Sequence, residues 1–113
     1  MGNARSFRIV LQTPAGRYSI DCDEDEFVWN AAARMGIQLP AICHQGRCLT
    51  CAARLIQGEV DQTASSSYFP EDRAAGFALL CTAQPRSDLI LETHQQWAMR
   101  RYRKAHGLPA PYS

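Results

Sequence analysis

No run of about 18 consecutive apolar residues occurs in this chain, so nothing in it reads as a membrane span. Net charge is also nearly absent. Twelve Lys and Arg stand against eleven Asp and Glu, a formal balance of +1. Internal repeats are lacking. At 113 residues the chain makes one domain with a modest core, with no room for a flavin or nicotinamide domain beside it. The start, Met1-Gly2-Asn3-Ala4-Arg5-Ser6, has neither an apolar signal core nor a long Arg/Ser-rich transit segment. Five cysteines is an odd number, which argues against a secreted disulfide scaffold. A reducing cytoplasm is the expected compartment. The stroma of a plastid is equivalent for a chain whose transit peptide has been removed.

Four of those cysteines carry the chemistry. Cys43, Cys48, Cys51 and Cys81 are separated by four, two and twenty-nine residues. Three thiolates in one short loop, joined by a fourth from a distant segment, is a ligand spacing for a [2Fe–2S] cluster. Such a cluster takes up and passes on one electron, one iron cycling between Fe³⁺ and Fe²⁺ while the thiolates stay in place. A loop can aim three close cysteines inward where a helix or strand cannot. Gly46 suits that loop because it accepts positive φ and lets backbone approach closely. Loop N–H groups would spread the sulfur charge, and Leu49 would shield it from water. A structural zinc site is the competing reading, although zinc is usually held by two close cysteine pairs. Visible colour separates the two.

Hydrophobic periodicity places the elements. Residues 7–12 and 17–22 read as a hairpin across Thr13-Pro14-Ala15-Gly16. Asp23-Glu24-Asp25-Glu26 is expected to open a helix with Asp23 as cap. Phe27, Val28, Ala31, Ala32 and Met35 would form its apolar face, and Gly36 would end it. Residues 52–57 read as a strand, 61–70 as a polar loop, 70–75 as a helical turn and 89–91 as the last strand. Residues 97–106 form a tail helix of weak amphipathicity, stopped by Gly107 with Pro109 beyond. Cys22, on the Tyr18/Ile20 face of its strand, reads as a buried small hydrophobe. The mixture is α+β.

Further motifs accompany the cysteines. They are Ala31-Ala32, Leu39-Pro40, Gly58-Glu59-Val60-Asp61-Gln62, Ala75-Gly76-Phe77, Leu80-Cys81, Pro85, Ser87-Asp88 and Glu92-Thr93-His94. Over about residues 6–96 the chain resembles the plant-type [2Fe–2S] ferredoxins of cyanobacteria and plastids. Its longer tail resembles their C-terminally extended variants. The resemblance implies a β-grasp domain over residues 1–94, a mixed sheet with one main helix, followed by a basic extension over 95–113. It also implies a soluble, monomeric one-electron carrier that does no bond chemistry, with Cys43, Cys48, Cys51 and Cys81 as ligands. Its donor would be one such as photosystem I, and its acceptors reductases or other redox enzymes. An iron–sulfur regulatory or cluster-assembly factor is the alternative.

Departures from the family pattern carry the functional detail. Residues 95–113 hold Arg100, Arg101, Arg103 and Lys104 and no acid. The remaining body has 8 basic and 11 acidic residues, or −3, so the steering field differs from that of a uniformly acidic carrier. Gln95 and Gln96 stand where the family has carboxylates that dock the NADP reductase, which puts that docking in doubt. Phe69 matches the family's electron-transfer aromatic, with Tyr68 replacing a small polar neighbour. His44 and Arg47 replace an arginine and a small residue in the cluster loop. A charge such as Arg47 roughly 8 Å from the cluster, at an effective dielectric of about 20–40, is worth about 1–2 kcal/mol. That raises the potential by some tens of millivolts from roughly −400 mV, with Leu49 opposing it by desolvation. The tail has two readings: Trp97 and Met99 pack on the body with solvated arginines, or Arg100 and Arg101 belong to an arm that docks an acidic partner. Four charges without an aromatic platform do not make a nucleic-acid site.

Overall fold

The computed structural model describes residues 5–42 and 49–111. Strands β1 (Ser6–Thr13) and β2 (Gly16–Asp23) form an antiparallel hairpin. Thr13 closes its turn, its hydroxyl donating to the Gly16 carbonyl and accepting from the Ala15 and Gly16 N–H groups. Ile9 and Leu11 of β1 and Ile20 and Cys22 of β2 are buried while their neighbours face out, the two-residue period of a half-covered sheet.

Helix α1 (Val28–Arg34) follows and lies against β2. Next come β3 (Ala52–Gln57), β4 (Val60–Asp61), α2 (Pro70–Ala74), β5 (Phe77–Leu79), β6 (Gln84–Pro85), β7 (Leu89–Glu92) and α3 (Gln96–Ala105). The main sheet runs β2-β1-β7-β3-β5, with β7 parallel to β1 and antiparallel to β3. β4 and β6 make a separate two-stranded pair. A hairpin, a crossover helix and a central parallel strand constitute the β-grasp arrangement within an α+β fold.

The acidic run does not open α1. Residues 23–26 form a turn closed by Glu26 N–H on the Asp23 carbonyl at 3.0 Å. Extended Phe27 precedes the first helical residue, with no side-chain cap. Tertiary contacts replace that cap: Val28 and Trp29 N–H donate to the Ala83 and Leu80 carbonyls, each at 2.9 Å. Glu26 instead pairs with Arg34 through two bonds of 2.9 and 3.0 Å, which holds its carboxyl below the usual range. Met35 lies beyond the helix and is 55% exposed, so it does not share the apolar face.

Gly58 is fixed by crowding as well as by its φ of 102°. A Cβ there would stand 2.2 Å from the Asp88 carbonyl oxygen and 2.7 Å from Leu89. Gly58→Ala is expected to destabilise the fold by about 2–4 kcal/mol from left-handed strain and overpacking. A thermal melt of the holoprotein checks this as a drop of roughly 4 °C per kcal/mol.

Helix α3 packs into the same core. Met99 is fully buried, and Arg100 and Arg103 are 2% and 0% exposed. Trp97, at 57% exposure, stays outside with the Arg100 guanidinium 4.9 Å from its ring centre. The tail therefore fits neither sequence reading in full, since Met99 packs on the body while two of its arginines go inside and Trp97 does not.

Candidate metal centre

Cys43, Cys48, His44, Gly46 and Arg47 lie outside the described residues; Cys51 and Cys81 are both described and both buried. Antiparallel pairing brings these two together. Ala52 is opposite Leu79 in the β3–β5 register, and Leu80 N–H donates to the Cys51 carbonyl at 3.2 Å. Cys51 thus directly precedes β3, while Cys81 lies two residues past the end of its partner strand. Each thiol is in a residue only 3% exposed.

The Cys81 segment is braced from several directions. Gln62 reads both backbone groups of Leu79, its Oε1 accepting from the N–H at 2.8 Å and its Nε2 donating to the carbonyl at 3.3 Å. The Ser65 and Thr82 hydroxyls share a 2.6 Å bond. The first turn of α1 grips the Leu80 and Ala83 carbonyls. The same helix reaches the other approach, where Trp29 Nε1 donates to the Leu39 carbonyl at 2.8 Å.

The Cys51 side is shaped by Leu49, which is fully buried with φ of 68°. A bulky residue in the left-handed region persists only where its surroundings over-determine it. The Leu49 carbonyl accepts Ala52 N–H at 3.1 Å, which closes a turn around Cys51. Gln95 N–H holds the Ala52 carbonyl at 3.0 Å. Arg100 Nη2 donates to the Thr50 hydroxyl at 3.2 Å.

Tyr68 and Phe69 lead into α2. The Tyr68 hydroxyl donates to the Phe77 carbonyl at 2.6 Å, and burial pushes it up to about 12. Phe69 is half-buried, with the Arg103 guanidinium 4.8 Å from its ring centre. Both aromatics line a groove of about 450 Å³ with Gln62, Thr63, Pro70 and Arg73. A larger groove of about 560 Å³ lies between the β1–β2 turn and residues 35–39 and contains neither cysteine.

Arg101 is exposed. Arg100 is not a surface docking group. Its guanidinium is held by the Thr50 hydroxyl, Gln96 Oε1 and the Pro111 carbonyl. Two buried arginines were invisible to hydropathy, because a helix face is recognised by its apolar residues and these replace them. The bracing roles of Gln62, Thr50 and the α1 N-terminus carry no local sequence signal either, since they join positions remote in the chain.

Cys22 stands apart. It is buried in β2, and desolvation, aided by Glu26 and Asp23, raises its thiol to about 12. A thiol so protonated is a poor ligand and a poor nucleophile.

Two buried cysteines on neighbouring strand ends, with Cys43 and Cys48 shortly before Cys51 in the sequence, fit a small iron–sulfur domain. Comparison with known proteins gives its family. The 2Fe-2S iron-sulfur cluster binding domain family matches residues 12–86. Ferredoxin-2 of a Synechococcus strain is 49% identical over 74 residues, 66% of this chain and 70% of that relative. The vegetative ferredoxin of Trichormus variabilis is 37% identical over 89 residues, 79% of this chain and 90% of that one. Among solved structures, pectocin M2 superposes with a TM-score of 0.73 at 28% identity, covering 80% of this chain and 33% of that chain. The chain spans only about a third of that structure. It belongs to the plant-type [2Fe–2S] ferredoxins. Its cofactor is a [2Fe–2S] cluster and its activity is electron transport, which sets the zinc reading aside.

Proposed function

We propose that this chain carries single electrons from a low-potential donor such as photosystem I to reductases and other acceptor enzymes, and itself makes and breaks no covalent bond. Cys43, Cys48, Cys51 and Cys81 are the ligands in this reading. The observation that carries it is the meeting of Cys51 and Cys81 at paired strand ends, both buried. When bound, the cluster supplies one-electron chemistry. The protein's own part is to exclude water, fix the thiols and set the local field. Residues 1–94 act as the β-grasp body and 95–113 as a basic addition to it. In this reading the protein works as a monomer in a bacterial cytoplasm or a plastid stroma; its cyanobacterial relatives support the first of these compartments. No helix among the described residues is long and apolar enough to cross a membrane.

Partner choice follows from the surface. Phe69 and Tyr68 line a groove that Gln62 connects to the Cys81 segment, which supports partner contact there. Exposed Arg101 contributes positive charge from the tail. The Gln95 and Gln96 side chains bond inward, Gln95 Nε2 donating to the Thr93 carbonyl at 3.3 Å and Gln96 Oε1 accepting from Arg100. NADP-reductase docking is therefore weaker than for a ferredoxin with carboxylates at these positions. Affinities for photosystem I and the NADP reductase, measured across a salt series beside such a ferredoxin, test this reading. Weaker, less salt-sensitive reductase binding is expected; equal affinity and equal salt slope overturn it.

Arg47 gives a second measurable consequence. Arg47→Ser is expected to make the reduction potential more negative by some tens of millivolts at low salt. Protein-film or mediated electrochemistry reads this directly, and an unmoved potential rejects the role.

A further inference from the structure

Helix α3 places a permanent positive charge beside the segment that carries Cys51. Arg100 is 2% exposed although its side chain is always protonated. Its Nη2 reaches the Thr50 hydroxyl at 3.2 Å, and Thr50 immediately precedes Cys51. Its Nε donates to the Pro111 carbonyl at 3.0 Å and its Nη1 to Gln96 Oε1, and its plane is also near the Trp97 ring. The guanidinium is thus held from both ends of α3 rather than left to sample solvent.

The helix itself is locked one turn further on. Arg103 makes a bidentate pair with Asp72, Nε to Oδ1 at 3.0 Å and Nη2 to Oδ2 at 2.8 Å, both side chains fully buried. It also donates to the Ser67 carbonyl at 2.8 Å and the Pro109 carbonyl at 2.9 Å. These bonds fix the register of α3 on the body and with it the position of Arg100.

We propose that Arg100 is a positioning and potential-setting residue for the metal centre, and that the C-terminal segment is a strap that delivers this charge rather than a free arm. Reduction adds one negative charge to the cluster. A fixed cation nearby lowers the free energy of the reduced form, and burial protects that interaction from screening by salt. The hydrogen bond to Thr50 has a second effect, since it orients the residue next to a ligand as outer-shell partners do. This inference rests on Cys51 being a ligand. The wild-type one-electron titration, run first in the same cell, checks that reading separately.

The test is a mediated redox titration of the holoprotein, followed by visible absorbance and by the electron paramagnetic resonance of the reduced form. Arg100→Met is expected to lower the reduction equilibrium constant about tenfold, a shift of about 59 mV to more negative potential. The shift should persist at high salt. Arg100→Lys, which keeps the charge, should recover most of it. Lys104→Met removes an exposed charge from the same helix and should change the constant less than twofold. An unchanged midpoint in Arg100→Met, or an equal shift in Lys104→Met, overturns the proposal. Should Arg100→Met lose its cluster, Arg100→Gln serves as the uncharged variant that still hydrogen-bonds. If neither uncharged variant assembles a cluster while Arg100→Lys does, Arg100 is a structural clamp and its potential-setting role is rejected.

Discussion

Arg103→Met is expected to destabilise the protein by about 3–5 kcal/mol, because it leaves Asp72 as an uncompensated carboxylate inside the fold. Both partners are 0% exposed, so solvent cannot rehydrate the survivor without opening the packing between α2 and α3. Asp72 also accepts the Phe69 N–H at 2.9 Å, and Arg103 covers the Phe69 ring. Loss of the arginine therefore loosens the segment that carries Phe69 as well as the tail. At about 4 °C per kcal/mol, the unfolding midpoint falls by roughly 12–20 °C, read by far-ultraviolet circular dichroism. The double variant Asp72→Leu with Arg103→Met separates the burial of an unpaired charge from the loss of the pair itself. It is expected to recover much of the loss, since apolar replacement of a buried pair is often close to neutral. A residue of about 1–3 kcal/mol remains because the Phe69 N–H then lacks its acceptor. A double variant as damaged as Arg103→Met alone contradicts this account.

Cys81→Ala is expected to abolish stable cluster binding. On the proposed assignment the three remaining cysteines cannot complete four-thiolate coordination, and the braces on residues 79–83 hold the backbone that carries Cys81 beside that of Cys51. Iron content and visible absorbance should fall to a small fraction of the wild-type values, and Cys51→Ala should behave alike. Cys22→Ala is the informative control. Its thiol is buried in β2 and held protonated, so the variant should keep full iron content and lose only a little stability. Loss of iron in Cys22→Ala, or its retention in Cys81→Ala, assigns the ligands wrongly.

The hairpin, β3, β7, the α2 turn and the tail helix were legible because each rests on local periodicity or on a turn residue. Ile9, Leu11, Ile20 and Cys22 alternate with outward residues, and burial follows that alternation. The start of α1 was misplaced because its N–H groups are satisfied by Leu80 and Ala83, more than fifty positions away. Local capping chemistry at Asp23 pointed to an earlier start. The two-residue strands β4 and β6 are too short to show any period. The buried face of α3 was unreadable for a different reason: Met99, Arg100 and Arg103 lie three and four residues apart, as an inward stripe does, but two of the three are cations. Acceptors on Thr50, Asp72, Ser67, Gln96, Pro109 and Pro111 make that stripe tolerable inside, and no short window of sequence contains them together.

Similar reasoning applies to the metal centre. Cysteine spacing was enough to name a candidate quartet, and the β3–β5 register explains how the segment of Cys81 comes beside that of Cys51. Spacing did not reveal Leu49 at positive φ or the guanidinium behind Thr50, which are consequences of tertiary contact.

Anaerobic reductive titration of the purified protein, with iron and acid-labile sulfide measured on the same sample, tests the central claim most directly. The account predicts a coloured protein with equal iron and sulfide that accepts one electron per cluster and then gives the paramagnetic signal of a half-integer spin. A colourless sample without iron or sulfide, prepared without exposure to oxygen, contradicts it.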